Sequence, residues 1–101
     1  MADDLELEFE WDEAKNLRNR LQRGFGFEVA ARIFSEGTLE RRDFRRSYGE
    51  ERIIAIGHLG LDILTVVYTE RGGRRRIISA RLANRRERDG YRAAYPETDY
   101  E

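Results

Sequence analysis

The sequence lacks cysteine altogether and contains only one histidine and one proline. Without cysteine the chain has no disulfide framework, no thiolate nucleophile and no cysteine-based zinc site. A single histidine gives a transition-metal centre almost no support, so we expect no metal and no other cofactor. The lack of cysteine also agrees with a reducing compartment, and we therefore expect a cytoplasmic protein.

Long apolar runs are also missing. The longest, residues 63–68 (ILTVVY), is far shorter than the roughly 20 residues that span a bilayer. Residues 1–13 carry seven acidic side chains and no basic one, the opposite of a secretory signal. We expect a soluble protein that contacts no membrane. At 101 residues it should form a single domain over residues 1–101, with residues 1–4 and 97–101 flexible.

Lysine is nearly absent as well, because eighteen of the nineteen basic residues are arginines and the exception is Lys15. Nine of the arginines fall in residues 71–92, which sum to +7, whereas residues 1–13 sum to −7 and residues 93–101 to −3. Such segregation suggests that one surface binds a polyanion, while the acidic ends keep the protein soluble or cover the basic patch. Judged on charge alone, a solvated arginine-rich face explains the pattern equally well.

Hydrophobic periodicity predicts the element order β-α-α-β-β-β-β-α. The predicted strands are residues 5–11, 38–45, 52–58, 62–70 and 74–81; the predicted helices run from the cap Asp12 through Arg23, over 27–34, and from Asn84 to before Pro96, with turns at 48–50, Gly60 and Gly72-Gly73. Leu17 and Leu21, four residues apart, support the first helix. The order predicts an α+β fold, a mainly antiparallel sheet of four to five strands with helices on one face. The open, basic face of such a sheet would suit RNA.

In residues 74–81 (RRRIISAR), strand alternation assigns alternate residues to opposite faces. One face receives Arg74, Arg76, Ile78 and Ala80, and the other receives Arg75, Ile77, Ser79 and Arg81. Neither set is purely apolar, so some guanidinium groups must lie beside the core or a cleft. Their planar donors suit phosphate there. The alternative is ordinary cross-strand ion pairing with Glu70 and other carboxylates.

On the last helix, spacing assigns Glu87, Tyr91 and Tyr95 to one face. A carboxylate, a phenol and several guanidinium groups near the end of the strand are sufficient for metal-independent RNA cleavage. We therefore predict catalytic roles for Arg76, Arg81, Glu87, Arg88 and Tyr91, and RNA binding by Arg74, Arg75, Ser79, Arg85 and Arg92. The alternative is that the tyrosines are core residues and Glu87 only caps the helix. His58 is predicted to be an exposed residue at a hairpin end.

Four segments resemble the BrnT family of toxins from bacterial type II toxin-antitoxin modules. They are FEWDEAKNLRNRLQRGFGFEVAARIF, EERIIAIGHLG, LTVVYTERGGR and RIISARLANRRERDGY. The last is the most specific, because it follows the family spacing R-I-I-S-A-R-x-A-x-x-x-E-R-x-x-Y. The resemblance implies a RelE-like ribonuclease that inhibits translation. It also implies a hetero-oligomer with a BrnA-like ribbon-helix-helix antitoxin, through which alone the complex contacts DNA.

One position departs from the family. Relatives often have Lys-His-Gly at the end of the first helix, where this chain has Gln22, Arg23 and Gly24. If that histidine transfers protons in relatives, Arg23 cannot replace it as a base, because its guanidinium stays charged. Either the chemistry lies in the later motif or this chain cleaves poorly. The predicted function is thus a metal-independent endoribonuclease toxin, and the alternative is a non-catalytic basic protein that docks an acidic partner or nucleic acid.

Overall fold

The computed structural model describes residues 7–43 and 49–96. Its strands are β1 (Phe9–Trp11), β2 (Leu39–Arg42), β3 (Ile53–Leu59), β4 (Asp62–Arg71) and β5 (Arg74–Leu82); its helices are α1 (Glu13–Arg23), α2 (Phe27–Ala30) and α3 (Arg85–Ala94), and a 3₁₀ helix (Ala31–Ser35) continues α2. This order and the α+β class confirm the prediction. The predicted strand positions 5–6 and 44–45, the turn position 48 and the segments 1–4 and 97–101 lie outside the described residues.

The five strands form one sheet in the order β1-β5-β4-β3-β2. All neighbouring pairs are antiparallel except β1, which runs parallel to β5 with Phe9 opposite Arg75. The β4–β5 hairpin turns through Gly72 (φ 60°) and Gly73 (φ 83°), the positive φ values that a tight two-residue turn requires. Because β1 lies at the edge beside β5, Glu8 and Glu10 are brought next to the arginine-rich strand.

Helix capping agrees with the sequence. Asp12 accepts hydrogen bonds from the backbone N–H groups of Ala14 (2.8 Å) and Lys15 (3.4 Å) at the start of α1, and these bonds lower the pKa of its carboxyl. Gly24, with φ 87°, ends α1 in the left-handed conformation. Asn84 and Glu87 form the predicted capping box at the start of α3. No helix in the described part of the chain is long and apolar enough to cross a membrane.

The helices cover both faces of the sheet, whereas the sequence predicted helices on one face. Phe27 and Ile33 pack with Ala55 of β3, while Tyr91 of α3 packs with Ile56. Ala55 and Ile56 are adjacent in a strand, so they point to opposite faces. The reason is that β3 and β4 are apolar on both faces. Ile56 and Ile63 lie on the second face and must also be buried. Tyr91 on α3 covers them, and its hydroxyl donates to the Gly37 carbonyl (3.0 Å).

The α1 helix directs amide side chains toward the core and leucine side chains toward solvent. Asn16 and Asn19 are buried, whereas Leu17 is 55% and Leu21 78% exposed. The Asn16 Oδ1 atom accepts a hydrogen bond from the Phe27 backbone N–H (2.7 Å), and the Asn19 amide donates to the Phe25 carbonyl (2.9 Å). These bonds satisfy the backbone between α1 and α2. The leucine pair that marks the helix in the sequence therefore faces away from the core.

Candidate functional site

A β-bulge in β5 decides which side chains share a face. Val67 pairs with Ser79 and Tyr68 with Ile77, so Ile78 is an extra residue on β5. As a result Ile77 and Ala80 both belong to the main core cluster, although strict alternation separates them. Arg76 and Arg81 pair with Thr69 and Thr65, which share a face of β4. The predicted division of β5 is therefore wrong beyond the bulge: Arg76 and Arg81 lie on one face, not on opposite faces.

Arg74 and Arg76, at the start of β5, form ion pairs with β1 and the residue before it. Arg74 Nε lies 3.1 Å from a Glu8 carboxylate oxygen, and Arg76 Nη1 lies 3.2 Å from Glu10 Oε2. The parallel pairing of β1 with β5 brings these carboxylates alongside. The predicted phosphate ligands at these two positions thus have their charge compensated within the chain.

Arg75 faces the opposite side and is held more tightly. Its guanidinium lies 5.0 Å from the Phe34 ring centroid and 4.7 Å from that of Tyr68, and it pairs with Glu70 at 3.4 Å and Glu40 at 4.0 Å. Burial and a hydrogen bond to Glu40 raise the pKa of the Tyr68 hydroxyl. Arg75 therefore anchors the core. The alternative of cross-strand ion pairing describes all three of Arg74–Arg76, and we call these three residues the paired arginines.

Arg81 lies on the other side of the bulge, where Glu87 holds its guanidinium in a fork. Arg81 Nη1 and Nη2 lie 2.8 and 2.9 Å from the two Glu87 oxygens, which also accept from the Thr65 hydroxyl and the Asn84 backbone N–H, both at 2.9 Å. The Arg81 bonds, with help from Asn84 and Thr65, hold the pKa of Glu87 at about 2. Glu87 is therefore ionised and Arg81 is fixed in direction, while 42% of the Arg81 side chain remains exposed.

The other predicted residues on α3 are spread around the helix. Arg88 Nη1 donates to the Ala83 carbonyl at 2.8 Å, next to the Arg81 fork. Tyr91 is 1% exposed and belongs to the second core cluster, and its ring lies 6.1 Å from that of His58. Arg85 is exposed, 3.9 Å from Asp89, and Arg92 is exposed in the last turn. Of the predicted catalytic residues, Arg81 and Glu87 are joined by two direct hydrogen bonds.

Two adjoining cavities lie between α1 and β5, and together we call them the α1–β5 groove. One, of about 190 Å³, is lined by Lys15, Arg18, Asn19, Gln22, Arg23, Phe27, Ile78 and Ser79. The other, of about 290 Å³, is lined by Arg23, Phe25, Arg81 and Leu82. Arg23 lines both cavities and is fixed by a 2.9 Å hydrogen bond from Nη1 to the Ala80 carbonyl.

The first cavity is strongly basic. The described side chains that line it include three cations, Lys15, Arg18 and Arg23, and no carboxylate. Sequence reasoning missed Lys15 and Arg18 because more than fifty residues separate them from β5. Their signal was the run of cations along α1, which the larger charge of residues 71–92 concealed. Ser79 is the predicted RNA-binding residue that this cavity does include.

Comparisons with known proteins identify the family of the chain. A family model described as the ribonuclease toxin BrnT of type II toxin-antitoxin systems matches residues 11–87, which include the whole α1–β5 groove and Glu87. Among solved structures, the Brucella abortus ribonuclease toxin BrnT is similar, with 25% sequence identity, a TM-score of 0.57, and coverage of 79% of this chain and 100% of that one. No curated protein matches the chain. The chain belongs to the BrnT family of ribonuclease toxins of type II toxin-antitoxin systems.

Proposed function

We propose that this chain is a metal-independent endoribonuclease toxin that inhibits translation and binds RNA in the α1–β5 groove. The observation that carries the proposal is the meeting of Lys15, Arg18 and Arg23 with the oriented guanidinium of Arg81 in one groove. A phosphodiester backbone is the ligand that such a set of donors fits, because guanidinium forks match phosphate oxygens. Charge already held in place also avoids the reorganisation that water would require.

The proposed reaction is attack by a ribose 2′-oxygen on the adjacent phosphorus. The new O–P bond forms as the bond to the 5′-oxygen breaks, which leaves a 2′,3′-cyclic phosphate and a 5′-hydroxyl. Arg81 and Arg23 stabilise the negative charge that develops on the phosphate oxygens. Arginine keeps its protons at ordinary pH, so the 2′-proton passes to solvent and the leaving oxygen takes one from solvent.

Glu87 and Tyr91 act through other residues in this proposal. With a pKa of about 2, Glu87 is too weak a base to take the 2′-proton and is ionised at the pH at which an acid would be needed. Its four accepted hydrogen bonds make it a positioning residue for Arg81. Tyr91 anchors α3, which carries Glu87, against β3. Since no base stands in place of the family histidine, we expect slow cleavage whose rate increases with pH.

The proposed partner is a ribbon-helix-helix antitoxin that forms a hetero-oligomer with the chain and alone contacts DNA. Leu17 and Leu21 form an exposed apolar stripe on α1, and Arg18 and Lys15 lie beside it on the groove side. An acidic amphipathic segment matches this surface, because it buries the leucines and pairs with the cations. A segment bound there covers the groove, which explains neutralisation by exclusion of RNA.

Purified protein incubated with a defined RNA in EDTA tests the proposal. We expect cleavage with 5′-hydroxyl ends, reduced about 100-fold or more in Arg81→Ala, the magnitude typical for removal of one charge-stabilising donor. Arg74→Ala is the matched control, since it removes a paired arginine from the same strand, and we expect wild-type cleavage. RNA binding without cleavage in every sample would contradict the enzyme and favour the non-catalytic interaction protein.

A further inference from the structure

We propose that the second cavity of the α1–β5 groove is a nucleobase subsite, which takes one unpaired base of single-stranded RNA next to the scissile phosphate. The cavity is lined by Arg23, Phe25, Arg81 and Leu82. This inference rests on the proposed ribonuclease function and deepens it. It assigns a role to two residues, Phe25 and Leu82, that phosphate binding does not use.

The lining combines two apolar side chains, Phe25 and Leu82, with two arginines, whereas the neighbouring cavity is lined by three cations and no large exposed apolar pair. Phe25 is partly buried, with part of its side chain packed against the main core cluster and part lining the cavity. Leu82, at the end of β5, is 60% exposed. An exposed leucine beside a partly buried phenylalanine leaves apolar surface in water, and a flat ring placed over it removes that surface from water. A volume of about 290 Å³ suits a single base better than a larger ligand.

The two arginines at the rim add a second kind of base contact. Arg23 is fixed to the Ala80 carbonyl and Arg81 to Glu87, so both guanidinium planes are held before RNA arrives. Unpaired bases stack on aromatic side chains and on guanidinium planes, and proteins that read single-stranded RNA use both. The cavity therefore offers an aromatic side chain and two planar cations in one place.

The second cavity lies directly beside the first. Arg23 lines both cavities, so the cavity that contains Phe25 and Leu82 begins where the one that contains Lys15 and Arg18 ends. In a nucleotide the base likewise lies next to its own phosphate. A phosphate held by Lys15 and Arg18 in the first cavity thus places a neighbouring base at the second. Duplex RNA cannot present a base in this way, so the subsite selects single strands.

Binding of synthetic RNA to the full chain tests the subsite. The oligonucleotide carries a 2′-deoxy sugar at the scissile position, so that it binds without cleavage, and an abasic nucleotide is placed on either side of the scissile phosphate in turn. In the wild type we expect one of the two abasic positions to weaken binding about 5- to 100-fold, the range for loss of one stacked base. In Phe25→Ala we expect that penalty to disappear, because the ring that the base contacts is already gone.

Three variants keep the result interpretable. Phe25→Tyr retains the ring and should retain the abasic penalty. Leu82→Ala alters a 60% exposed residue that the fold does not depend on, and it should reduce the penalty even if Phe25→Ala fails to fold. Leu61→Ala removes another exposed leucine (70%), on the β3–β4 turn, and should leave the penalty unchanged.

The outcomes separate the subsite from the function on which it rests. RNA binding that is intact in the wild type, with the same abasic penalty in Phe25→Ala and Leu82→Ala, overturns the subsite and leaves the ribonuclease proposal standing. Equal binding of all abasic and unmodified RNAs by the wild type likewise overturns the subsite and leaves the ribonuclease proposal standing. A wild type that binds none of these RNAs even at low salt overturns the proposed function itself, together with the subsite.

Discussion

Arg74 and Arg81 stand in the same strand, yet their surroundings differ in kind. Arg74 is paired with an exposed glutamate, Glu8, whose backbone carbonyl also accepts from Arg75 N–H beside β1. Arg81 is fixed by Glu87 at the mouth of a groove whose other cations, Lys15 and Arg18, come from α1. Both arginines therefore have a carboxylate partner, but only the second is held in a groove that carries further cations.

This comparison shows that charge counted along the sequence is not charge available to a ligand. Residues 71–92 sum to +7, but the paired arginines in that segment have carboxylate partners from other elements. Part of the acidic N-terminal segment thus neutralises the start of β5. The α1 helix, whose net charge is smaller than that of residues 71–92, supplies three cations of the groove.

Replacement of Arg75 by alanine should cause the largest loss of stability. The change removes a cation that is stacked on two rings and leaves Glu40 and Glu70 without it, so we expect the free energy of unfolding to decrease by about 3 kcal/mol. Urea unfolding measures this. In Arg74→Ala, which breaks an exposed pair, the decrease should be below about 1 kcal/mol. A similar loss in both variants would show that Arg75 has no special anchoring role.

Acid should weaken the Arg81–Glu87 fork in a defined pH range. Because the folded-state pKa of Glu87 is about 2, below its usual value near 4.5, its contribution to stability is complete above about pH 4.5 and is lost as the pH falls toward 2. Between pH 6 and pH 3 we expect a loss of about 1 to 2 kcal/mol, allowing for solvent screening at Arg81.

The Glu87→Gln variant isolates this contribution. Its free energy of unfolding should be lower than that of the wild type at pH 6 and should change less between pH 6 and pH 3. The same comparison with Glu8→Gln should show no such difference, since Glu8 is exposed and pairs only with Arg74 among the described residues. Parallel pH profiles for wild type and Glu87→Gln would contradict the assignment of the low pKa.

Leu17→Glu should weaken neutralisation by the antitoxin about 10-fold, because it places a carboxylate where an acidic segment is proposed to dock. Inhibition of RNA cleavage is titrated with a purified BrnA-like ribbon-helix-helix antitoxin. Leu61→Glu is the matched control, since Leu61 is also exposed (70%, against 55% for Leu17) but lies on the β3–β4 turn. Neutralisation is compared relative to each variant's own cleavage without antitoxin, and equal neutralisation of both would exclude α1 as the docking surface.

Much of the fold follows from local signals in the sequence. The caps Asp12 and Asn84, the stop at Gly24 and the turn at Gly72-Gly73 depend on neighbours within a few residues, and the structure confirms them. Placement of β1 beside β5 depends instead on a parallel pairing across the length of the chain. Periodicity contains no information about such a pairing.

The candidate site is harder to predict for the same reason. The extra residue Ile78 reverses the alternation of β5, and a bulge of this kind leaves no trace in a simple count of alternate residues. Asn16 and Asn19 take the inward positions of α1 because their amides bond the following loop, against the usual apolar pattern. The Arg81–Glu87 contact could be predicted from the sequence, because the two residues are six positions apart. The groove could not, because it depends on how α1 packs beside β5.

The salt dependence of RNA affinity tests the central claim most directly. For single strands the slope of log affinity against log salt changes by about 0.7 for each phosphate contact. We predict that Lys15→Gln and Arg18→Gln each reduce the magnitude of this slope by about 0.7, whereas Arg74→Gln and Arg76→Gln leave it unchanged. A loss of slope confined to the Arg74 and Arg76 variants would contradict the account, because it would place RNA on the paired arginines and not in the α1–β5 groove.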